Sequence, residues 1–224
     1  MSEYLKRKID KYLFDWKADP DHKPLIIKGA RQVGKTKSIE NFAERNYENI
    51  VEINFAEDPV YKQIVENGYS AAAIIKNISR INPKARFIKG KTLIFFDEIQ
   101  EFPDIATSLK FFSLDGNYDV ICSGSLLGIH YKEISSISVG YKTEIEMHSL
   151  DFEEFLWALG YNDSVKEDIL SHMHSFTPFS PAVFKIYYDL FLDYCIVGGM
   201  PDVVRDFVSK KHLKILLKFN DKLS

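Results

Sequence analysis

The sequence predicts an α/β fold, a parallel sheet flanked by helices and followed by a small helical region. Three observations carry this. Short apolar runs of strand length alternate with segments of helical period, as right-handed crossovers between parallel strands require. The first apolar run leads straight into "GARQVGKT", a glycine loop that opens a helix. From Asp151 onward the pattern turns helical throughout.

Tyr4, Leu5, Ile9, Tyr12, Leu13 and Trp16 recur at helical spacing, and Asp19-Pro20 closes this first helix. Pro24 to Ile27 reads as a short buried strand. After the glycine loop, Ser38 to Arg45 reads as a helix with Ile39, Phe42 and Ala43 on one face. In "NIVEINFAED", Val51, Ile53 and Phe55 alternate with polar residues, which marks a second strand. Residues 59–81 hold helical material, and Pro83 ends it. "KTLIFFDEIQ" contains a continuous apolar run, expected of a strand buried on both faces. "DIATSLKFFSL" reads as a helix, "YDVICSGS" as another buried strand, and "KTEIEMHSL" as an alternating strand near the sheet edge. Phe152, Phe155, Leu156 and Leu159 then form an apolar stripe, with Asp151 and Glu154 as a capping box and Gly160 as the stop. A boundary near 150 divides the chain into a core with its N-terminal helix, 1–150, and a helical region, 151–224. There are no internal repeats.

The 224 residues are 46 % hydrophobic, enough to bury a sizeable core, which argues against disorder. A net charge of −3 supplies no global attraction to nucleic acid or anionic membrane. Cys122 and Cys195 lack disulfide or metal spacing, and Cys122, inside an apolar run, reads as a buried free thiol. The chain opens on the polar "MSEYLKRKID", and no apolar stretch could span a bilayer. These features predict a soluble protein of a reducing compartment, the cytoplasm, with no membrane partner.

Gly29, four residues, then Gly34-Lys35-Thr36 is the Walker A spacing of a P-loop. Composition alone would generate it in roughly one such chain in two hundred, so a bland glycine turn is the weaker account. The backbone N–H groups of Gly29, Ala30, Arg31, Gln32, Val33 and Gly34 can turn inward on phosphate oxygens. Those of Lys35, Thr36 and Lys37 open the helix and add its positive dipole end. Lys35 would reach the β- and γ-phosphates, and the Thr36 hydroxyl would coordinate Mg²⁺. Such a cradle needs a metal-holding acid. Asp97 falls where the buried strand Leu93 to Phe96 runs out, a position suited to orienting Mg²⁺ directly or through water. Glu98, next to it, could polarise the attacking water; the alternative is that "DE" merely caps the following turn. Ser123 and Ser125 end the "VICSGS" strand, where a hydroxyl could sense the γ-phosphate, though serines at strand ends are more often turn residues.

"GARQVGKT", "LIFFDEIQ", "ICSGS", "HSLDFEEFL" and "VGGMPDVV", in that order, resemble a family of AAA-like P-loop ATPases of bacteria and archaea. Members usually carry a further C-terminal domain. The resemblance covers about residues 20–205, and its last two segments make it specific. It implies an ASCE-type sheet in which the "VICSGS" strand lies between the cradle strand and the "LIFFDE" strand. It also implies ATP as nucleotide, Lys35 and Thr36 on phosphate and Mg²⁺, Asp97 on Mg²⁺, Glu98 as catalytic base, and Ser123 and Ser125 as sensors. The chain departs from the family at Tyr141, where a basic residue is usual; Lys142 comes one position late. It also stops within "HLKILLKFNDKLS", a helical pattern, where relatives continue, so a truncated chain is expected.

GTP is disfavoured, since no Asn-Lys-x-Asp element occurs, and a small-molecule kinase would need an arginine-rich lid that the chain lacks. His172 and His174 have no partners at metal-ligand spacing. "KKHLKILLK" reads as a solvated basic face, with nucleic-acid contact as the minority alternative. In "GGMPDVVR" the glycines suit a tight turn, and Pro201 suits a helix start. The expectation is Mg²⁺-dependent ATP binding and hydrolysis. The alternative is an ATP-binding switch or interaction module with negligible turnover. No arginine has an evident claim to the γ-phosphate, which points to self-association or a protein partner, with Arg80 and Arg86 as candidates acting in trans.

Overall fold

The computed structural model describes residues 4–125 and 137–220, with side chains as far as residue 211. Cα packing divides the chain into two units: residues 9–147, and residues 148–224 together with the first eight.

The first unit is built on five parallel strands: β1 (Leu25–Gly29), β2 (Asn49–Asn54), β3 (Thr92–Asp97), β4 (Asp119–Ser125) and β5 (Thr143–Glu146). Their order is β2-β3-β4-β1-β5, so β4 lies between β1 and β3 and β5 takes one edge. Every residue of β3 is buried. The period-2 alternation of a strand explains how: Ile94 and Phe96 enter one apolar layer, Leu93 and Phe95 the other.

The first layer is covered by a 3₁₀ segment, Pro59–Val65, and by helices α3 (Ala71–Ile81) and α4 (Ser108–Asp115), through residues such as Ile64, Ile74, Ile78 and Phe112. The second is covered by α1 (Lys8–Ala18) and α2 (Lys35–Asn46), through Leu13, Trp16, Ile39 and Phe42. Cys122 is a buried free thiol whose pKa burial pushes up. At the amino end of the sheet, Asp119 gathers three elements. Its carboxylate accepts from the Tyr47 hydroxyl (2.7 Å) and lies 2.8 Å from His22 Nε2 and 3.7 Å from Lys17 Nζ.

Two elements differ locally from the sequence pattern. The first helix starts at Lys8, not Tyr4. The Lys8 N–H, an open donor at a helix start, is satisfied by Glu154 Oε1 at 2.7 Å, and Arg7 donates to the His148 carbonyl at 2.7 Å. These bonds hold the residues before Lys8 out of the helix. Second, the helix expected from Asp104 starts as a 3₁₀ segment, Pro103–Thr107, and turns α-helical only at Ser108.

The second unit holds α5 (Phe152–Ala158), α6 (Asp163–Ser175), α7 (Pro181–Val197) and α8 (Pro201–Asn220). Asp151 and Glu154 form the reciprocal capping box of α5. Its core is small: Leu150, Phe155 and Val204, with Leu5, Tyr194 and Phe207 packed around them. Gly199 permits a close backbone approach there, since a Cβ at this position would stand only 2.1 Å from the Leu150 carbonyl oxygen. The "KKHLKILLK" stretch falls on α8, mostly beyond the residues with described side chains.

Candidate functional site

Parallel strands end together, so β1, β3 and β4 bring their carboxyl-terminal residues to one edge of the sheet. Gly29 ends β1, Asp97 ends β3 and Ser125 ends β4. Three sequence-distant motifs therefore meet.

The loop from Gly29 to Gly34 is fixed by its own chemistry. A Cβ on Gly29 would lie 2.2 Å from the Met147 carbonyl oxygen, so only glycine lets the chain leaving β5 pass. Gly34 takes φ 97°, a left-handed conformation that glycine adopts without strain. Gln32 is also left-handed, at φ 63°, where an L side chain costs energy. Val33 drops its side chain into the second apolar layer and anchors the loop. Ala30, Arg31 and Gln32 remain exposed.

Helix α2 follows directly. The Ser38 N–H makes a helical bond to the Gly34 carbonyl at 3.0 Å. The N–H groups of Lys35, Thr36 and Lys37 precede it, where a helix has no internal acceptor. The Lys37 side chain pairs with Glu40 at 2.8 Å on the outer face, so only its backbone is turned to the loop. Lys35 is the reverse case, with a side chain only 6 % exposed. Its ammonium donates to the carbonyls of Gly29 (3.1 Å) and Ala30 (2.7 Å). Burial pulls its pKa down, while the Glu98 and Asp97 carboxylates push it back up.

Asp97 is 2 % exposed and is the hub of the remaining polar groups. Its Oδ2 accepts from the Thr36 hydroxyl at 3.0 Å, and its Oδ1 accepts from the Ser123 hydroxyl and from the Glu98 N–H at 2.9 Å. Glu98 has φ 53°, again left-handed, which turns the chain sharply as β3 ends. Its carboxylate accepts from the Gln100 side-chain amide, and the Gln100 carbonyl oxygen accepts the Ser125 N–H at 2.9 Å. Gln100 carries no part in the sequence reading. Its only signal there is a polar residue inside "DEIQ", in a place where the structure buries it.

The structure thus brings together Lys35, Thr36, Asp97, Glu98, Ser123 and Ser125. It keeps Lys142 away: the residue after it, Thr143, pairs with Leu25 at the amino end of β1, and Lys142 itself pairs with Glu144 at 2.8 Å. Arg205 lies in the second unit, pairing with Asp202 at 2.7 Å. His172 sits 3.0 Å from the Thr177 carbonyl through Nδ1 and packs against Phe179, a helix-terminating role. Among the described residues, no helix is long and apolar enough to cross a membrane.

Strand order and glycine loop together define a P-loop nucleotide-binding fold of the AAA type. The AAA domain family matches residues 21–156, more than half of the chain, and the protein belongs to that family. A search of curated protein sequences finds no match. Among solved structures, the chain is similar to PCH-2 of C. elegans, at 12 % identity and TM-score 0.44, covering 79 % of this chain and 49 % of that one. It is also similar to the ORC1 protein of Aeropyrum pernix, solved in complex with DNA, at 14 % identity and TM-score 0.44, covering 69 % and 48 %. The chain spans about half the length of either.

Proposed function

We propose that this protein binds ATP with Mg²⁺ and hydrolyses it to ADP and phosphate. The observation that carries this reading is the meeting of a buried lysine with a Thr36–Asp97 pair 3.0 Å apart at the mouth of the glycine loop. These are the parts of Walker A and Walker B sites.

The donor set fits Mg²⁺. A hydroxyl and a carboxylate are hard oxygen ligands, and Mg²⁺ is held by one or two such groups plus substrate phosphates rather than by an all-protein cage. Thr36 and Asp97 would hold it, and the ion would supply positive charge against the phosphates. The loop backbone from Gly29 to Gly34, with the N–H groups of Lys35, Thr36 and Lys37, would receive the phosphate oxygens. Lys35 would exchange the carbonyls of Gly29 and Ala30 for the phosphates, an attraction strengthened by its burial. The Glu98 carboxylate takes the proton of a water whose oxygen attacks the γ-phosphorus, and the bond to the bridging oxygen of ADP breaks. Ser123 and Ser125 serve as sensors at the tip of β4.

Glu98→Gln tests this directly. The amide keeps the shape and leaves Asp97 for the metal, but cannot accept the proton. ATP affinity should persist while single-turnover hydrolysis falls by about 10²–10⁴-fold. Hydrolysis that survives unchanged would show that Glu98 is not the base.

A second reading, an ATP-dependent switch with negligible turnover, is favoured by the arginines. Arg31 is exposed in the loop, and Arg80 is occupied by Asn77 at 3.0 Å. Phosphate release under multiple-turnover conditions separates the two readings.

A further inference from the structure

We propose that Gln100 is a positioning residue for hydrolysis. Its side-chain amide holds the Glu98 carboxylate on one side and the tip of β4 on the other. The proposal rests on the reading of Glu98 as the base.

Gln100 lies in a single 3₁₀ turn, Ile99–Glu101, immediately after Glu98, and is only 8 % exposed. A buried amide must find partners for both its ends. The Ser125 N–H can only donate, so the group facing it at 2.9 Å must be Oε1. That choice settles which way the amide is turned. Nε2 therefore faces Glu98 and donates to its Oε2. Among the described residues, this is the hydrogen bond that the Glu98 carboxylate receives.

The site is shaped for this contact from the β4 side as well. A Cβ on Gly124 would stand 3.0 Å from Gln100 Oε1 and 3.1 Å from Ile99 Cγ1. A bare backbone at position 124 is what lets the turn after β3 come close enough for the bridge to form. Two links then join the ends of β3 and β4. Ser123 ties β4 to Asp97, and Gln100 ties the Ser125 backbone to Glu98. A movement at the tip of β4 reaches the base through one rigid amide. Glu98 depends on this support because its backbone is left-handed and its side chain leaves the strand without a partner strand to steady it.

Gln100→Met tests the bridge, because methionine keeps length and bulk while losing both hydrogen bonds. Gln100→Glu keeps the acceptor for the Ser125 N–H but sets a carboxylate against that of Glu98. Both variants should bind ATP within about twofold of wild type, since neither touches the phosphate loop. Single-turnover hydrolysis should fall about 10- to 100-fold in Gln100→Met, the scale of a small misplacement of a reacting group, and further in Gln100→Glu. Gly124→Ala, which pushes on the amide from the other side, should reproduce the Gln100→Met loss. In a Glu98→Gln background, Gln100→Met should add nothing. A wild-type rate in Gln100→Met, or a loss of rate matched by an equal loss of ATP affinity, overturns the proposal. If Glu98→Gln alone keeps the wild-type rate, the base assignment has failed instead. The bridge is then decided by hydrogen exchange at the Ser125 N–H, which should quicken about tenfold in Gln100→Met. Equal exchange in both proteins overturns the bridge itself.

Discussion

Lys35 shows how a single residue joins the fold to the proposed site. Its buried ammonium donates to the carbonyls of Gly29 and Ala30, so it already stands at the mouth of the loop where a phosphate could take their place. A ligand bound only by the native state stabilises it by mass action, by about 2.7 kcal/mol at a concentration one hundred times Kd. ATP with Mg²⁺ should therefore raise the melting temperature of the wild type and leave Lys35→Ala unmoved. Equal stabilisation of both proteins would remove the lysine from the cradle. That Lys35, Thr36, Asp97 and Glu98 come together was legible in the sequence, because each sits at a fixed offset from a glycine or a strand end. Gln100 was not, because its partner is a backbone N–H twenty-five residues away. The same holds for Gly29: its place in the loop could be read locally, but its contact with the Met147 carbonyl could not.

At the scale of elements, periodicity gave the strands with little ambiguity, since β3 and β4 are apolar runs too short for buried helices. Helix starts were harder. Tyr4 and Leu5 continue the apolar spacing of α1, yet the bonds from Arg7 and Lys8 hold the chain out of the helix there. The capping box of α5 was readable because it is local, three residues from Asp151 to Glu154. It also has a pH signature. Burial raises the Asp151 pKa, but the Lys8 ammonium and the backbone N–H groups of α5 outweigh it and hold the carboxyl below its usual range. A depressed folded-state pKa means stability that is present above the unfolded value, near about 3.9, and lost as pH falls through the folded one. Asp151→Ala should cost about 1 kcal/mol at neutral pH through the lost cap. The deficit should shrink below about pH 4 as the wild-type carboxyl protonates. Urea unfolding at pH 7 and pH 3 checks this, and a deficit that stays constant would refute the charged-cap account.

For the whole molecule, the strand order decides which groups share the edge beside the glycine loop and which do not. Setting β4 between β1 and β3 gives the loop, the acids and the serines one shared edge, while β5 delivers Lys142 to the opposite end of the sheet. Among the described residues, three of the arginines are already engaged and so are not offered to the proposed phosphoryl transfer. Arg7 is bound to the His148 carbonyl and lies 3.1 Å from Glu154, Arg80 is held by Asn77, and Arg205 is paired with Asp202. Arg86 is exposed on the connection between α3 and β3, which makes it the better of the two candidates for acting on a second copy. An arginine supplied in this way is worth roughly 10³–10⁵ in rate in P-loop enzymes. Dilute protein should therefore hydrolyse ATP slowly, and specific activity should climb as concentration drives self-association. Arg86→Ala should flatten that climb while leaving ATP affinity and the basal rate of dilute protein in place. The measurement is specific activity against protein concentration, with oligomeric state read in parallel by sedimentation. Fast turnover that stays flat down to clearly monomeric protein would mean that the chain needs no arginine from a neighbour.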